Sequence, residues 1–596
     1  MKSKLSLFLF VTLMIALLAT GCGQAQPPAV NAETSASTAA STSAPTTAES
    51  TMSASKMEEG SIVTPVGQFP IVSEPVTLTF FAPQVASLED ISTNSFTKWY
   101  EDRTGVHIEW NLAPSNEFEE KRNLVLASGD YPDVFLSTGS IGADNEMKYG
   151  TEQGILIPVN DLIDEWCPNM VDFMDQIKDF RKAITNLDGN IYGFPGFNSC
   201  YHCEHAQRMW INSEWLDALG LSMPTTTDEL YDVLKAFKTQ DPNGNGQSDE
   251  IPFTSCISGS WFSDIDGFIM NSFIYSTASE GNMSGLKLRI DANGTVDSIT
   301  NKEDYREGLR YLNKLYSEGL LDENALTQSI ELVKSLLADP DNAIVGMIPG
   351  GTMMSYVDTV INNETYARFH ALAPLKGPTG LQQSPEFPSM PASGQTVITI
   401  ACKYPEVVAR WTDDFFCSTG DDAYLTAVSR QFGVEGTDWR WGQEGEFGLD
   451  GVTPAMYQFI TVPDQPSQNH CWANAVGPYI WSEAMRSGMP SDPTKSLYAA
   501  DMVDPLLYDA SKKLMEPTVP KDFTAMPPIK YTSDESTEMA TLEVELKKYL
   551  GESVAKFISG DMSLDADWDN YIANLENIGL SKYIEIVQTG YTRQYK

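Results

Sequence analysis

The chain has 596 residues, of which 42% are hydrophobic, 10% aromatic and 20% charged. That is a globular composition, long enough for roughly two to four domains. Its 39 Lys and Arg against 81 Asp and Glu give a formal net charge of -42, which argues against a nonspecific binder of nucleic-acid phosphates and against docking on an acidic membrane surface.

Lys2 and Lys4 precede an apolar run from Leu5 to Leu18, and Ala19-Thr20-Gly21-Cys22 follows. This is the charged, apolar and small-residue order of an export signal, and the run is short for a membrane span. A cysteine directly after the small residues resembles a bacterial lipobox. Residues 1–21 are therefore expected to be a lipoprotein signal peptide, with Cys22 as the lipid anchor. From Gln24 to about Met57 the chain is almost only Ala, Ser, Thr and Pro with scattered Glu. Such a composition buries too little apolar surface to offset its ordering entropy. Residues 22–73 are thus expected to be the lipidated cysteine and a disordered tether, with a reach of roughly 30 Å.

Val76 to Phe81 reads as a strand and Asn94 to Arg103 as a helix stopped by Thr104-Gly105. Val106 to Leu112 follows as a strand, Lys121 to Ser128 as a helix, and Asp133 to Leu136 as a short buried strand. This β-α-β-α-β order predicts an α/β protein with mostly parallel sheets flanked by helices, in which ligands bind beyond the carboxyl ends of the strands. Asp188 to Pro195 reads as a hairpin-like turn with strand flanks. Met209 to Asn212 is a short strand, and helices follow at Glu214 to Leu219 and Thr227 to Lys238. The second of these has Thr226 and Glu229 spaced as a capping box. Its apolar stripe of Leu230, Val233, Leu234 and Phe237 reads as core.

Beyond Cys22 seven cysteines remain, an odd number that argues against a complete disulfide framework. In the cluster Cys200-Tyr201-His202-Cys203-Glu204-His205 a local disulfide, or two free thiols, is favoured over a zinc site, because no second Cys/His pair lies nearby in sequence. The strongest local chemistry follows the capped helix, at Asp241-Pro242-Asn243-Gly244-Asn245-Gly246-Gln247-Ser248-Asp249-Glu250. Oxygen side chains at positions one, three and five with Gly at six reproduce the first half of a calcium loop, and Gln247 offers a backbone carbonyl. Pro252 occupies position twelve, so Asp249 and Glu250 are expected to close the shell. Calcium, with six to eight flexible oxygen ligands, suits this set better than magnesium, and its role is read as structural.

The string Met209 to Leu221, then Pro224-Thr225-Thr226, the helix and the loop from Asp241 resembles the extracellular solute-binding proteins of carbohydrate ABC importers. The likeness is greatest to their large lipoprotein branch, which includes alginate-oligosaccharide binders. Ala127 to Asp133, Asp188 to Pro195, Thr396 to Glu406 and the stretch from Trp568 to Tyr591 match as well, while Asn212 stands where many relatives carry a basic residue. The resemblance implies calcium on Asp241, Asn243, Asn245, Gln247, Asp249 and Glu250. It further implies two α/β lobes closing by a hinge motion around a ligand in the cleft between them. The N-terminal lobe is expected at 74–195 plus about 402–465, and the C-terminal lobe at about 196–401 plus 466–596. The implied role is a monomeric, lipid-anchored subunit facing outside the cell, which captures an oligosaccharide and delivers it to a membrane permease.

Sugar sites combine flat aromatic rings with hydrogen-bonding side chains. By position after strands or in long irregular segments, Trp261, Trp439, Trp441 and Trp472 are the stacking candidates, with Gln84, Thr138, Asn198 and Asp264 as polar partners. Two other readings stand beside this one. A glycoside hydrolase needs two carboxylates at controlled separation, and 81 acidic residues make such a pair easy to find and uninformative. No nucleophile-elbow, zincin or phosphate-loop motif is present. A two-lobed receptor or sensor would bind glycans without supporting uptake.

Overall fold

The computed structural model describes residues 62–596 except 140, 143–144, 258, 278–284, 461–467 and 474. The export signal, Cys22 and most of the tether lie outside the described residues.

The β-branched run after Pro75 forms β1 (Val76–Gln84), and α1 (Ser95–Thr104) follows. Asn94 caps α1 through its Oδ1, which accepts the amides of Phe96 and Thr97, and Gly105 ends it at φ 75°. Next come β2 (Val106–Pro114), α2 (Phe118–Ser128) and β3 (Val134–Leu136). Asp133, just before β3, accepts both the amide and the hydroxyl of Thr79 at 2.7 and 2.8 Å, which pins β3 to β1. A turn closed by the Asn186 amide on the Asn190 carbonyl leads into β4 (Phe194–Asn198), so strand forms only on its C-terminal side and no hairpin results.

The chain then passes through α3 (Tyr201–Glu204) to β5 (Met209–Asn212), α4 (Ser213–Leu219) and α5 (Thr227–Thr239). Asn212 is buried and its Oδ1 caps α4 by accepting the Trp215 amide, a use that suits an amide side chain. At α5 the Thr226 hydroxyl accepts the Glu229 amide, but the Glu229 carboxylate takes the amide and hydroxyl of Thr225. The stripe Leu230, Val233, Leu234 and Phe237 is buried, as its period requires. After α6 (Glu303–Ser317), β6 (Met347–Pro349) and β7 (Phe369–Ala371), the chain returns along β8 (Ala392–Ile398). Helices α7 (Pro405–Asp413) and α8 (Leu425–Phe432) follow, then β9 (Trp439–Trp441), β10 (Tyr457–Phe459) and β11 (Ile480–Trp481). Four helices finish the chain: α9 (Val503–Ala510), α10 (Ser533–Ser559), α11 (Trp568–Ile578) and α12 (Leu580–Tyr595).

These elements build two α/β lobes. The first holds a six-stranded sheet ordered β11-β4-β8-β3-β1-β2. Its pairs are parallel except where β8, arriving from the second lobe, runs antiparallel to β3 and β4. The second lobe holds β6-β5-β7, whose pairs are antiparallel. Around that sheet α5, α6, α10, α11 and α12 share one core with Leu230, Leu309, Leu550, Tyr571 and Val587. Each such side chain contributes about 1.5–3 kcal/mol of transfer free energy.

Two expected boundaries move. Residues 62–73 belong to the folded body: Val63 bridges Val72, Ile71 is fully buried, and the Arg103 guanidinium lies 3.7 Å over the Phe69 ring. The apolar residues Ile62, Val63, Ile71 and Val72 separate this stretch from the Ala/Ser/Thr run before it. Residues 471–481 leave the second lobe for the first. Trp472, Val476 and Ile480 pack in the core of β1, and β11 extends the six-stranded sheet.

Candidate ligand cavity and cation loop

A cavity of about 640 Å³ opens where β4 ends and the chain crosses between lobes. Its wall is Asn198, Cys200, Cys203, Trp261, the segment from Phe387 to Met390, and the segment from Ala525 to Pro528. Asn198 is the last residue of β4, the carboxyl end where an α/β sheet takes ligands. Its Oδ1 accepts Arg486 Nη2 at 2.9 Å, and its Nδ2 makes no hydrogen bond among the described residues. Cys200 and Cys203 are joined as a disulfide.

Trp261 is turned to this wall by its neighbours. Phe262 has φ 54°, a left-handed value that a bulky residue takes only where its surroundings impose it, and it is buried while Trp261 stays half-buried. The Gly351 amide donates to the Trp261 carbonyl at 2.7 Å, and a Cβ at Gly351 would overlap the indole ring. Gly351 in turn accepts Arg208 Nη1 at 2.6 Å. Arg208 is fully buried, and burial pushes its guanidinium down to about 9. Its Nη2 bonds the Ser511 hydroxyl at 2.7 Å and the carbonyl of His202, so one side chain ties the turn after β6, α3 and the helical turns after α9 together.

No ionisable side chain is among the described lining residues. Carboxylates stand just outside. Glu204 turns its Oε1 to the Ser389 amide at 3.0 Å. Burial raises Glu386 above the ordinary carboxylate range, and the charges of Glu204 and Glu516 raise it further.

Of the eight sequence candidates, Asn198 and Trp261 meet at this cavity. Trp472 does not: it is fully buried, donates Nε1 to the Thr97 hydroxyl at 2.8 Å and lies edge-on to Phe96 in the first core. Trp439 is also core, with Nε1 on the Gly433 carbonyl. The ribbon of β9 and β10 does put Trp439 and Trp441 on one side, as alternation predicts, with ring centroids 4.8 Å apart. Only Trp441 is exposed, at 37%, and it is not part of the cavity wall. Gln84 is exposed at the end of β1, and Thr138 accepts Gln395 Nε2 on its carbonyl at 2.7 Å. Asp264 is buried away from the wall, where its charge acts on Lys287. Phe387, Met390 and Met526 were not among the candidates. Their signal is large apolar residues inside the proline-rich stretches Pro385 to Pro391 and Met526 to Pro528.

The loop from Asp241 leaves α5 with φ 48° at Asp241, 69° at Gly244 and 73° at Gly246, conformations that favour glycine at the last two. Asp241 accepts the amides of Asn245 and Gly246 at 3.1 and 3.0 Å, and Asn245 accepts that of Gln247 at 2.7 Å. Asn243 and Asn245 both turn Nδ2 toward Asp249. Glu250 Oε1 is buried with no hydrogen-bond partner. Burial, then the charges of Asp249 and Asp241, raise this carboxyl above its ordinary range. Hard oxygen donors around an unsatisfied buried carboxylate oxygen fit a calcium ion.

The chain matches the family "Bacterial extracellular solute-binding protein" over residues 85–409. It is 29% identical over 532 residues to the fructooligosaccharide ABC transporter substrate-binding protein FusA of Streptococcus pneumoniae, covering 88% of this chain and 91% of that protein. FusA has been solved with kestose and, as an EF-hand mutant, with fructo-nystose. Each structure aligns at TM-score 0.67 and 27% identity over 87% of this chain and 99% of that one. An extracellular solute-binding protein from Bifidobacterium longum subsp. infantis shares the fold at TM-score 0.70 and 23% identity, over 88% and 99% of the two chains. With the family match spanning more than half of its length, this protein belongs to the bacterial extracellular solute-binding proteins.

Proposed function

We propose that the protein is the lipid-anchored substrate-binding subunit of an ABC importer and that its ligand is a neutral oligosaccharide of the fructooligosaccharide class. The carrying observation is the uncharged wall of the cavity, where the Trp261 and Phe387 rings stand beside Asn198 and Ser389. Rings cover the apolar faces of a sugar and amides or hydroxyls meet its hydroxyl groups, whereas an acidic glycan needs cations to offset its desolvation. Carboxylates around the rim oppose an anionic ligand further. The likeness to FusA supports the same class.

The ligand is bound and released intact, because glycoside hydrolysis uses two carboxyl groups flanking the bond and the described wall supplies none. Calcium at Asp241, Asn243, Asn245, the Gln247 carbonyl, Asp249 and Glu250 is structural, in keeping with the EF-hand of FusA. Cys22 holds the body to the membrane as a monomer, and a permease receives the glycan.

Titration calorimetry with kestose and with an alginate trisaccharide, followed by chromatography of the recovered sugar, tests this reading. Kestose is expected to bind and be recovered whole. Binding of the alginate trisaccharide but not kestose would overturn the neutral-glycan reading, and shortened products would overturn the binding-only one.

A further inference from the structure

Two sulfurs of the cavity wall belong to a second set of donors that sugar binding does not use. Cys200, His202 and Cys203 place one ligand atom each within 4.8 Å of one another. His202 Nε2 lies 3.5 Å from Cys200 Sγ and 3.2 Å from Asp504 Oδ1 of α9. A tetrahedral zinc with Zn–S of about 2.3 Å and Zn–N of about 2.0–2.1 Å separates its sulfur and nitrogen donors by ~3.5 Å. The imidazole is therefore already spaced for zinc from one sulfur, while Asp504 stands outside the three-donor cluster.

The imidazole is also held in place: His202 is 3% exposed, and its carbonyl accepts Arg208 Nη2. The sulfurs occupy a Cys-x-x-Cys spacing on a single helical turn, at the surface of a cavity that a small reagent can enter. Two sulfurs and one imidazole suit a borderline-soft divalent ion, and water entering from the cavity can fill its fourth position.

We propose that Cys200 and Cys203 form a reversible pair, a disulfide in the oxidised protein and, after reduction, two ligands of a zinc site completed by His202 and a solvent water. An external dithiol of the thioredoxin type supplies the two electrons and two protons that convert the disulfide to two thiols, and itself becomes a disulfide. Zinc then displaces the two thiol protons into solvent as two Zn–S bonds form. The site is independent of the glycan reading, so each stands or falls alone.

The test uses the full chain, reduced with dithiothreitol and desalted without oxygen. One equivalent of Co²⁺ is expected to give a sulfur-to-cobalt charge-transfer band. After Zn²⁺ loading and desalting, elemental analysis is expected to find one more zinc per chain than in oxidised protein, which shares the loop at Asp241 and so controls for metal held there. His202→Gln, which keeps the disulfide, is expected to bind at least tenfold more weakly and to lose intensity in the cobalt band. Equal zinc in the reduced and oxidised proteins would overturn the proposal. So would a missing cobalt band, or a disulfide that the dithiol leaves intact in the folded protein.

Discussion

Trp261 is the aromatic candidate that reaches the cavity wall, and its orientation depends on Gly351, which is not among the lining residues. Truncation to Ala removes a ring whose stacking is worth about 0.5–1.5 kcal/mol beyond the area it buries. Trp261→Ala is expected to weaken kestose binding by tenfold or more. Gly351→Ala leaves the indole in the chain but places a methyl group where the ring now lies. It is expected to weaken binding comparably while shifting tryptophan emission, with little change in melting temperature. Calorimetry and fluorescence on the two variants check this, and unchanged affinity in both would remove Trp261 from the site. The two buried candidates show why ring identity alone says little. Trp439 and Trp472 are as apolar and as irregularly placed in sequence as Trp261, yet each buries its indole and gives Nε1 a protein acceptor.

At the scale of elements, the segments that cross between lobes decide what the cavity is. Lys530 reaches from the stretch before α10 into the first lobe, where Nζ meets Glu146 Oε2 at 2.8 Å and the Ser393 hydroxyl at 3.2 Å. Both charged side chains are at most 5% exposed, and Asn186 donates Nδ2 to the same Glu146 oxygen. Removing one partner of such a pair strands the other charge, at a cost of about 3–5 kcal/mol, whereas replacing both with apolar groups is often neutral. Lys530→Met is thus expected to lower stability by that amount, and Lys530→Met with Glu146→Leu to recover most of it. Denaturant unfolding of the single and double variants measures the difference, and additive losses would show the pair to be uncoupled. None of this pairing was legible in the sequence, since Glu146 and Lys530 lie 384 residues apart with no periodic pattern around either. What was legible is local: each element of the β-α-β-α-β order from Val76, the stripe of α5 and the loop at Asp241 rest on patterns within the element itself. The antiparallel β8 and the β11 edge depend on where the chain returns after the second lobe, which no local pattern encodes.

Over the whole molecule, the cation loop and the cavity are joined through one lobe. The loop leaves α5, and Asn243 and Asn245 donate to the Ala343 carbonyl and to Asn342 Oδ1 at 3.1 and 2.9 Å, in the segment that leads to β6. Beyond β6 stands Gly351, which positions Trp261. Calcium on the loop would therefore hold the entry to the strand that supports the binding wall. An ion that binds only the folded state stabilises it by mass action, by ~2.7 kcal/mol at a concentration one hundredfold above its dissociation constant. Excess chelator is expected to lower the melting temperature by roughly a few degrees. Added calcium should restore it, while magnesium, which demands a regular octahedron of ligands, should not. Asp241→Ala should start at the lower melting temperature and ignore both chelator and calcium. Kestose affinity should fall in the chelated protein, because the support of Trp261 loosens while every contact residue remains. Identical melting curves with and without chelator, in protein shown by elemental analysis to have carried calcium beforehand, would separate the loop from the stability of the lobe.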